Sequence, residues 1–180
     1  MRSIESLFDR WPEVRKLREN PDYVESSVYE NYSEEERAHR LSSGPLRGSR
    51  GLALQRVFWN EKEKKTISFV YFGDGLDGWL KVTHGGALAT MLDENMGRVA
   101  VRTFPERTGV TANLNINYRS PALTGFLYKI TTTIDQERST DRKAFLMSEI
   151  RGPTGDVCTE ATGVFVVPKN MRLQKIGDQY

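Results

Sequence analysis

The chain is poor in the residues on which several broad protein classes depend. Its single cysteine, Cys158, excludes an internal disulfide. It falls in an alternating apolar segment and reads as a buried, inert thiol. Two histidines, His39 and His84, lie in different segments without the spacing of a ligand set, so no metal is expected. The phosphate-cradling GxxxxGK[ST] loop is absent and nothing calls for a cofactor. Lys and Arg total 26 against 24 Asp and Glu, with no basic stripe, so no nucleic-acid partner is expected. Apolar runs stay well short of the roughly 18 residues of a membrane span, so stable membrane insertion is not expected. The first twenty residues lack the apolar stretch of a secretory signal. Their acids, Glu5, Asp9 and Glu13, are unlike a mitochondrial presequence. A cytoplasmic location is therefore expected, with the mitochondrial matrix as the alternative.

A chain of 180 residues, 38% hydrophobic, is long enough to bury one core. Residues 1–50 read as a polar helical arm and loop. Ser3 is expected to cap a first helix in which Ile4, Leu7 and Phe8 share a face, and Pro12 restarts it. Pro21-Asp22 looks like the start of a further short helix. Ser33 to Arg40 reads as another, with Ser33 as N-cap and Glu36 completing a capping box. Ser42 to Gly51 is small-residue loop. The arm holds too few apolar residues to fold alone, and Trp11 and Tyr23 are its candidates for contact with the body.

Residues 51–180 have a different grammar. Leu52–Trp59 and Thr66–Phe72 read as strands joined across a charged turn. His84 to about Thr103 is the one long helical pattern of the body, with Leu88, Met91, Leu92, Met96 and Val99 as its apolar stripe. Four β-rich segments follow: Val110–Arg119, Phe126–Gln136, Lys143–Ile150 and Asp156–Val167. In the first, Val110, Ala112, Leu114, Ile116 and Tyr118 alternate with Thr111, Asn113, Asn115 and Asn117. One helix with one apolar face and a sheet with one apolar face bury each other. The expected class is α+β: a long helix wrapped by a curved, mostly antiparallel sheet in the order β-β-α-β-β-β-β.

The chemistry concentrates in His84-Gly85-Gly86 and Asp93. Two glycines at a helix start admit a ligand carbonyl close to the backbone, and the free first-turn N–H groups suit a developing oxyanion. Asp93 lies two turns on, between Ala89 and Gly97, beside an apolar stripe where a carboxylate is costly without partners or a task. Gly85 and Asp93 are separated by roughly 12 Å of helix, too far for one carbonyl to touch both. A two-fold dimer with antiparallel helices would bring Gly85 of one copy to Asp93 of the other.

His84 to Gly97 resembles the His-Gly-Gly…Asp…Gly signature of the hotdog-fold thioesterase superfamily. Val110-Thr111-Ala112-Asn113-Leu114-Asn115-Ile116-Asn117-Tyr118-Arg119-Ser120-Pro121 resembles the strand that follows it in PaaI-like and THEM-type acyl-CoA thioesterases. The resemblance covers roughly Leu52 to Pro168. It implies the hotdog fold and hydrolysis of acyl-CoA, with medium to long fatty chains favoured. It implies Asp93 as base or nucleophile, Thr111 as positioner of water, the Gly85 N–H as oxyanion donor from the neighbouring subunit, and His84 as support for loop and carbonyl. Gly86, Asn113 and Arg119 are the expected substrate contacts, with Arg138, Arg142 and Lys143 further candidates for the CoA phosphates. A homodimer or dimer of dimers is implied. Several bacterial relatives carry an asparagine six residues before the histidine; here Gly78 stands there. The strict alternation puts Thr111 with the asparagines, opposite the face that should meet the helix. Phe126, Tyr128, Phe145 and Phe165 are expected to be core. The rival reading is a non-catalytic acyl-CoA or lipid-binding hotdog protein. A hotdog dehydratase, with its His-Gly-Phe-Pro type of motif, does not match.

Overall fold

The computed structural model describes residues 2–171 and 173–176. Its arm contains α1 (Arg2–Asp9), α2 (Pro12–Glu19), β1 (Tyr23–Ser27) and α3 (Glu34–Ala38). The body contains β2 (Leu52–Asn60), β3 (Lys65–Phe72), a small hairpin of β4 (Asp77–Trp79) and β5 (Val82–Thr83), and α4 (Gly85–Thr103). Then come β6 (Val110–Tyr118), β7 (Phe126–Ile134), β8 (Lys143–Arg151) and β9 (Val157–Val166). Seven strands form one sheet in the order β1-β2-β3-β7-β8-β9-β6. Each neighbouring pair is antiparallel.

The sheet is packed on both sides. On its inner face lies α4, whose Leu88, Leu92, Met96 and Val99 meet Val70, Ile130, Leu146 and Phe165. Tyr128 and Phe165 are core as expected, whereas Phe126 is 48% exposed. Gly163 on β9 lets the helix come close: a Cβ there would stand 2.8 Å from Met96 Sδ. On the outer face, Phe8, Val14 and Leu17 of the arm pack on Phe58, Ile67, Phe69 and Leu127. Strands β2 and β3 thus carry buried apolar residues on both faces.

The arm departs from expectation in two places. Pro21-Asp22 leads into strand β1, not a helix. Residues 23–27 pair with the free edge of β2, Val24 opposite Trp59, and that ladder satisfies a backbone that an isolated helical turn would leave open. The first helix begins at Arg2, so Ser3 lies within it and is not its cap. The capping box at Ser33 and Glu36 forms as read. Trp11 stacks edge-on to Phe69 at 5.6 Å and Tyr23 packs against the same outer cluster.

Candidate active site

Helix α4 starts where its sequence requires. His84 takes the N-cap position and its Nδ1 accepts the Gly86 amide at 2.9 Å. With Nδ1 as acceptor, a neutral imidazole carries its proton on Nε2. The preceding amide, that of Gly85, belongs to the first turn and has no acceptor among the described residues. Gly78 is part of the same arrangement. A Cβ at position 78 would stand 2.9 Å from His84 Cα, so the side chain that some relatives carry would collide with the cap here.

Two side chains from β6 hydrogen-bond to α4, one at each end of the strand. The Tyr118 hydroxyl donates to the Gly85 carbonyl at 3.0 Å, and its ring leaves little room beyond a glycine. The Thr111 hydroxyl donates to Asp93 Oδ1 at 2.7 Å. A bulge makes the second contact possible. Thr111 stands opposite Phe165 and Asn113 opposite Val164, so Ala112 is the extra residue. The bulge reverses the pleat. Thr111 therefore shares the inner face with Leu114, which strict alternation would have forbidden.

Asp93 is half-buried, and among the described residues Thr111 is its one hydrogen-bond partner and no cation pairs with it. Its neighbour Glu94 faces the arm instead, accepting from the Tyr29 hydroxyl at 2.8 Å. Arg98 lies 3.8 Å from the Glu94 carboxylate and is buried. Below it, Asn95 accepts from Ser68 and donates to the Met91 carbonyl.

Asp93, Gly85, His84, Gly86 and Thr111 thus lie along α4 and the facing edge of β6. Asn113 does not join them: beyond the bulge it points to the outer face of the sheet, opposite Val164. Arg119 follows the Tyr118 end of β6 and is ion-paired with Glu160. Arg138 lies over the Phe145 ring at 4.3 Å and Arg142 donates to the Val167 carbonyl at 3.0 Å, both near the Thr111 end of the sheet. Tyr118 and the bulge escape the sequence reading. The tyrosine looks like one more member of an apolar alternation, and a small residue such as Ala112 gives no sign of a bulge.

Residues 80–140 match the family model described as the thioesterase superfamily. An uncharacterized protein of Schizosaccharomyces pombe is 31% identical over 91% of this chain and 92% of its own length. The chain belongs to the thioesterase superfamily. Within it, the acyl-coenzyme A thioesterase THEM4 of Mus musculus is 28% identical, the match covering 87% of this chain and 69% of that protein. A Bacillus halodurans protein solved with CoA superposes at a TM-score of 0.60 with 22% identity, over 77% of this chain and 85% of that one. The long helix against a large antiparallel sheet is the hotdog fold of these thioesterases. The match to the family model begins inside the β4–β5 hairpin, so the arm lies outside it.

Proposed function

We propose that the protein is an acyl-CoA thioesterase whose two half-sites are completed by a second copy. The 2.7 Å contact of Thr111 with Asp93, on the same helix flank as the open Gly85 amide, carries this reading. Thr111 holds one carboxylate oxygen, leaving the other for water. Asp93 takes a proton from that water as it attacks the thioester carbonyl carbon. The alternative route forms an acyl-aspartyl anhydride that water then opens. In either case the carbonyl oxygen gains charge beside the Gly85 N–H of the second copy, at the positive end of α4. Collapse expels CoA as its thiolate, which is protonated, and releases the acid. The His84 Nε2–H supplies a further donor near the same oxygen.

The second copy follows from the separation of the two groups. Strand β6 pairs with β9 alone among the described residues, so its other edge is open. Open edges invite pairing with another chain. Antiparallel pairing of two β6 strands about a two-fold axis sets the Tyr118–Gly85 end of one copy against the Thr111–Asp93 end of the other.

The test is thiol release from a series of acyl-CoAs by the wild type and by Asp93→Ala. Turnover by the wild type that collapses in the variant supports the reading. Equal release by both on every substrate would overturn it in favour of an acyl-CoA-binding protein without catalysis. Mixing Asp93→Ala with Gly85→Pro chains adds a check on the dimer. Hybrid dimers carry one intact composite site, so activity should reappear on mixing.

A further inference from the structure

A cavity of about 340 Å³ opens beside the start of α4, on the flank away from β6. Its walls come from two parts of the chain. Leu76, His84, Ala87 and Thr90 belong to the body, and Leu41 and Leu46 to the arm's loop. The loop is held firmly: the Leu46 amide donates to the Leu41 carbonyl at 3.0 Å and the Leu52 amide to the Leu46 carbonyl at 2.7 Å. The Gln55 side chain ties Ser42 to β2 at 3.1 Å. Leu46 packs on the main core, while Leu41 stands 51% exposed at the cavity wall.

We infer that this cleft receives the acyl chain of the substrate and that Leu41, from the arm, limits its length. The inference rests on the thioesterase reading for the position of the thioester, beside Gly85. The cavity touches His84 and Gly86, the residues on either side of that glycine. A carbonyl held there has its acyl chain at the mouth of the cleft. Leu41, Leu46, Leu76 and Ala87 give the lining its apolar surface, and it includes no lysine or arginine. Its one carboxylate, Asp77, already accepts from the Thr124 hydroxyl at 2.7 Å and the Lys81 amide at 2.9 Å. Such walls favour hydrocarbon and disfavour the phosphates of CoA. Small-molecule sites span roughly 300–1,000 Å³, and this one is at the low end, which suits a chain of medium length. The arm thereby acquires a role that the family-matched segment cannot supply.

The experiment compares kcat/KM for butyryl-, octanoyl-, lauroyl- and palmitoyl-CoA in wild type, Leu41→Trp and Leu41→Ala. Leu41 is exposed, so both variants should fold, and their thermal melting is checked against wild type. Leu41→Trp should lower the lauroyl-to-butyryl ratio by about tenfold or more, since one methylene in an apolar pocket already carries that much discrimination. Leu41→Ala should move the preference towards longer chains. A uniform drop on all four substrates, or none, overturns the assignment and leaves the cleft to pantetheine or to solvent. Binding separates this from the thioesterase reading. Lauroyl- and butyryl-CoA are titrated into Asp93→Asn with and without Leu41→Trp. Selective loss of lauroyl-CoA affinity upholds the cleft even if no turnover exists, and equal affinities for both ligands with and without the tryptophan overturn it.

Discussion

Asp93 and Glu94 are adjacent carboxylates on one helix, and the structure gives them opposite surroundings. Glu94 turns to the arm, where the Tyr29 hydroxyl and the buried Arg98 guanidinium compensate its charge. Asp93 turns to the open edge of the sheet, with Thr111 as its hydrogen-bond partner. One residue of helix, about 100° of rotation, separates a carboxylate with a cation from one without. A buried charge with full compensation is structural; a carboxylate left with a free oxygen at an accessible edge is available for proton transfer. The same division applies to the helix flanks. Gly85, Ala89 and Asp93 make a flank next to β6, while Glu94 fastens the other flank to the arm through Tyr29.

The sharpest break of this comparison is to neutralise each carboxylate in turn. Asp93→Asn should keep the melting temperature near that of wild type and lower kcat by about 10²–10⁴-fold, the range for loss of a general base. Glu94→Gln should do the reverse. It neutralises the acceptor of the Tyr29 hydroxyl and the anion beside Arg98, and should cost about 1–3 kcal/mol of stability, with a much smaller effect on kcat. Denaturant melts and thiol-release rates on both variants decide the matter. If Glu94→Gln proves the more damaging to kcat, the roles given to the two residues are wrong.

How much of this was legible beforehand depends on how local the cause is. The helix over His84–Thr103 and its stripe follow from a strong 3.6-residue period, and its start follows from His-Gly-Gly; the structure adds that His84 is the cap itself. The strands after it were readable to within one or two residues because each alternates and ends at a turn. Strand β1 was not. Its five residues carry little pattern of their own, and the open edge of β2 makes them a strand. The outer apolar layer was hidden for a related reason: Phe8, Val14 and Leu17 form short local stripes whose target is a distant face of the sheet. In the candidate site, Asp93 and the glycines were visible as a motif. The contact of Thr111 with Asp93 was not, because pairing with β9 creates the bulge at Ala112 and no local pattern announces it.

That bulge provides the next break, of intermediate size. Thr111→Val keeps the shape and removes the hydroxyl. A hydrogen bond to a charged group contributes about 1.5–3 kcal/mol, so kcat should fall about 10- to 100-fold, with Thr111→Ser restoring most of it. Deleting Ala112 tests the geometry by another route. With the extra residue gone, Thr111 still falls opposite Phe165 and Asn113 opposite Val164, so plain alternation keeps Thr111 on the inner face and activity should fall less than in Thr111→Val. A loss in the deletion as deep as that of Thr111→Val would show that the face given to Thr111 is not enough and that the bulge itself shapes the site.

A third carboxylate, Glu36 in the arm, extends the comparison to its smallest effect. The Ser33 backbone N–H and hydroxyl both donate to Glu36, at 2.9 and 3.0 Å, and hold its carboxyl below the ordinary 4.5. A depressed folded value means that the carboxylate contributes stability above its unfolded pKa and loses it as pH falls through the folded one. Wild type should therefore exceed Glu36→Gln in melting temperature by a small, constant margin from pH 6 to 8. The margin should close as the pH drops below about 4.5. Glu36 is on the surface and no cation lies within ion-pair distance of it among the described residues, so added salt should trim the margin only slightly. A margin that instead widens on acidification would show that the carboxyl is stabilised in its protonated form, contrary to a capping box that accepts two hydrogen bonds.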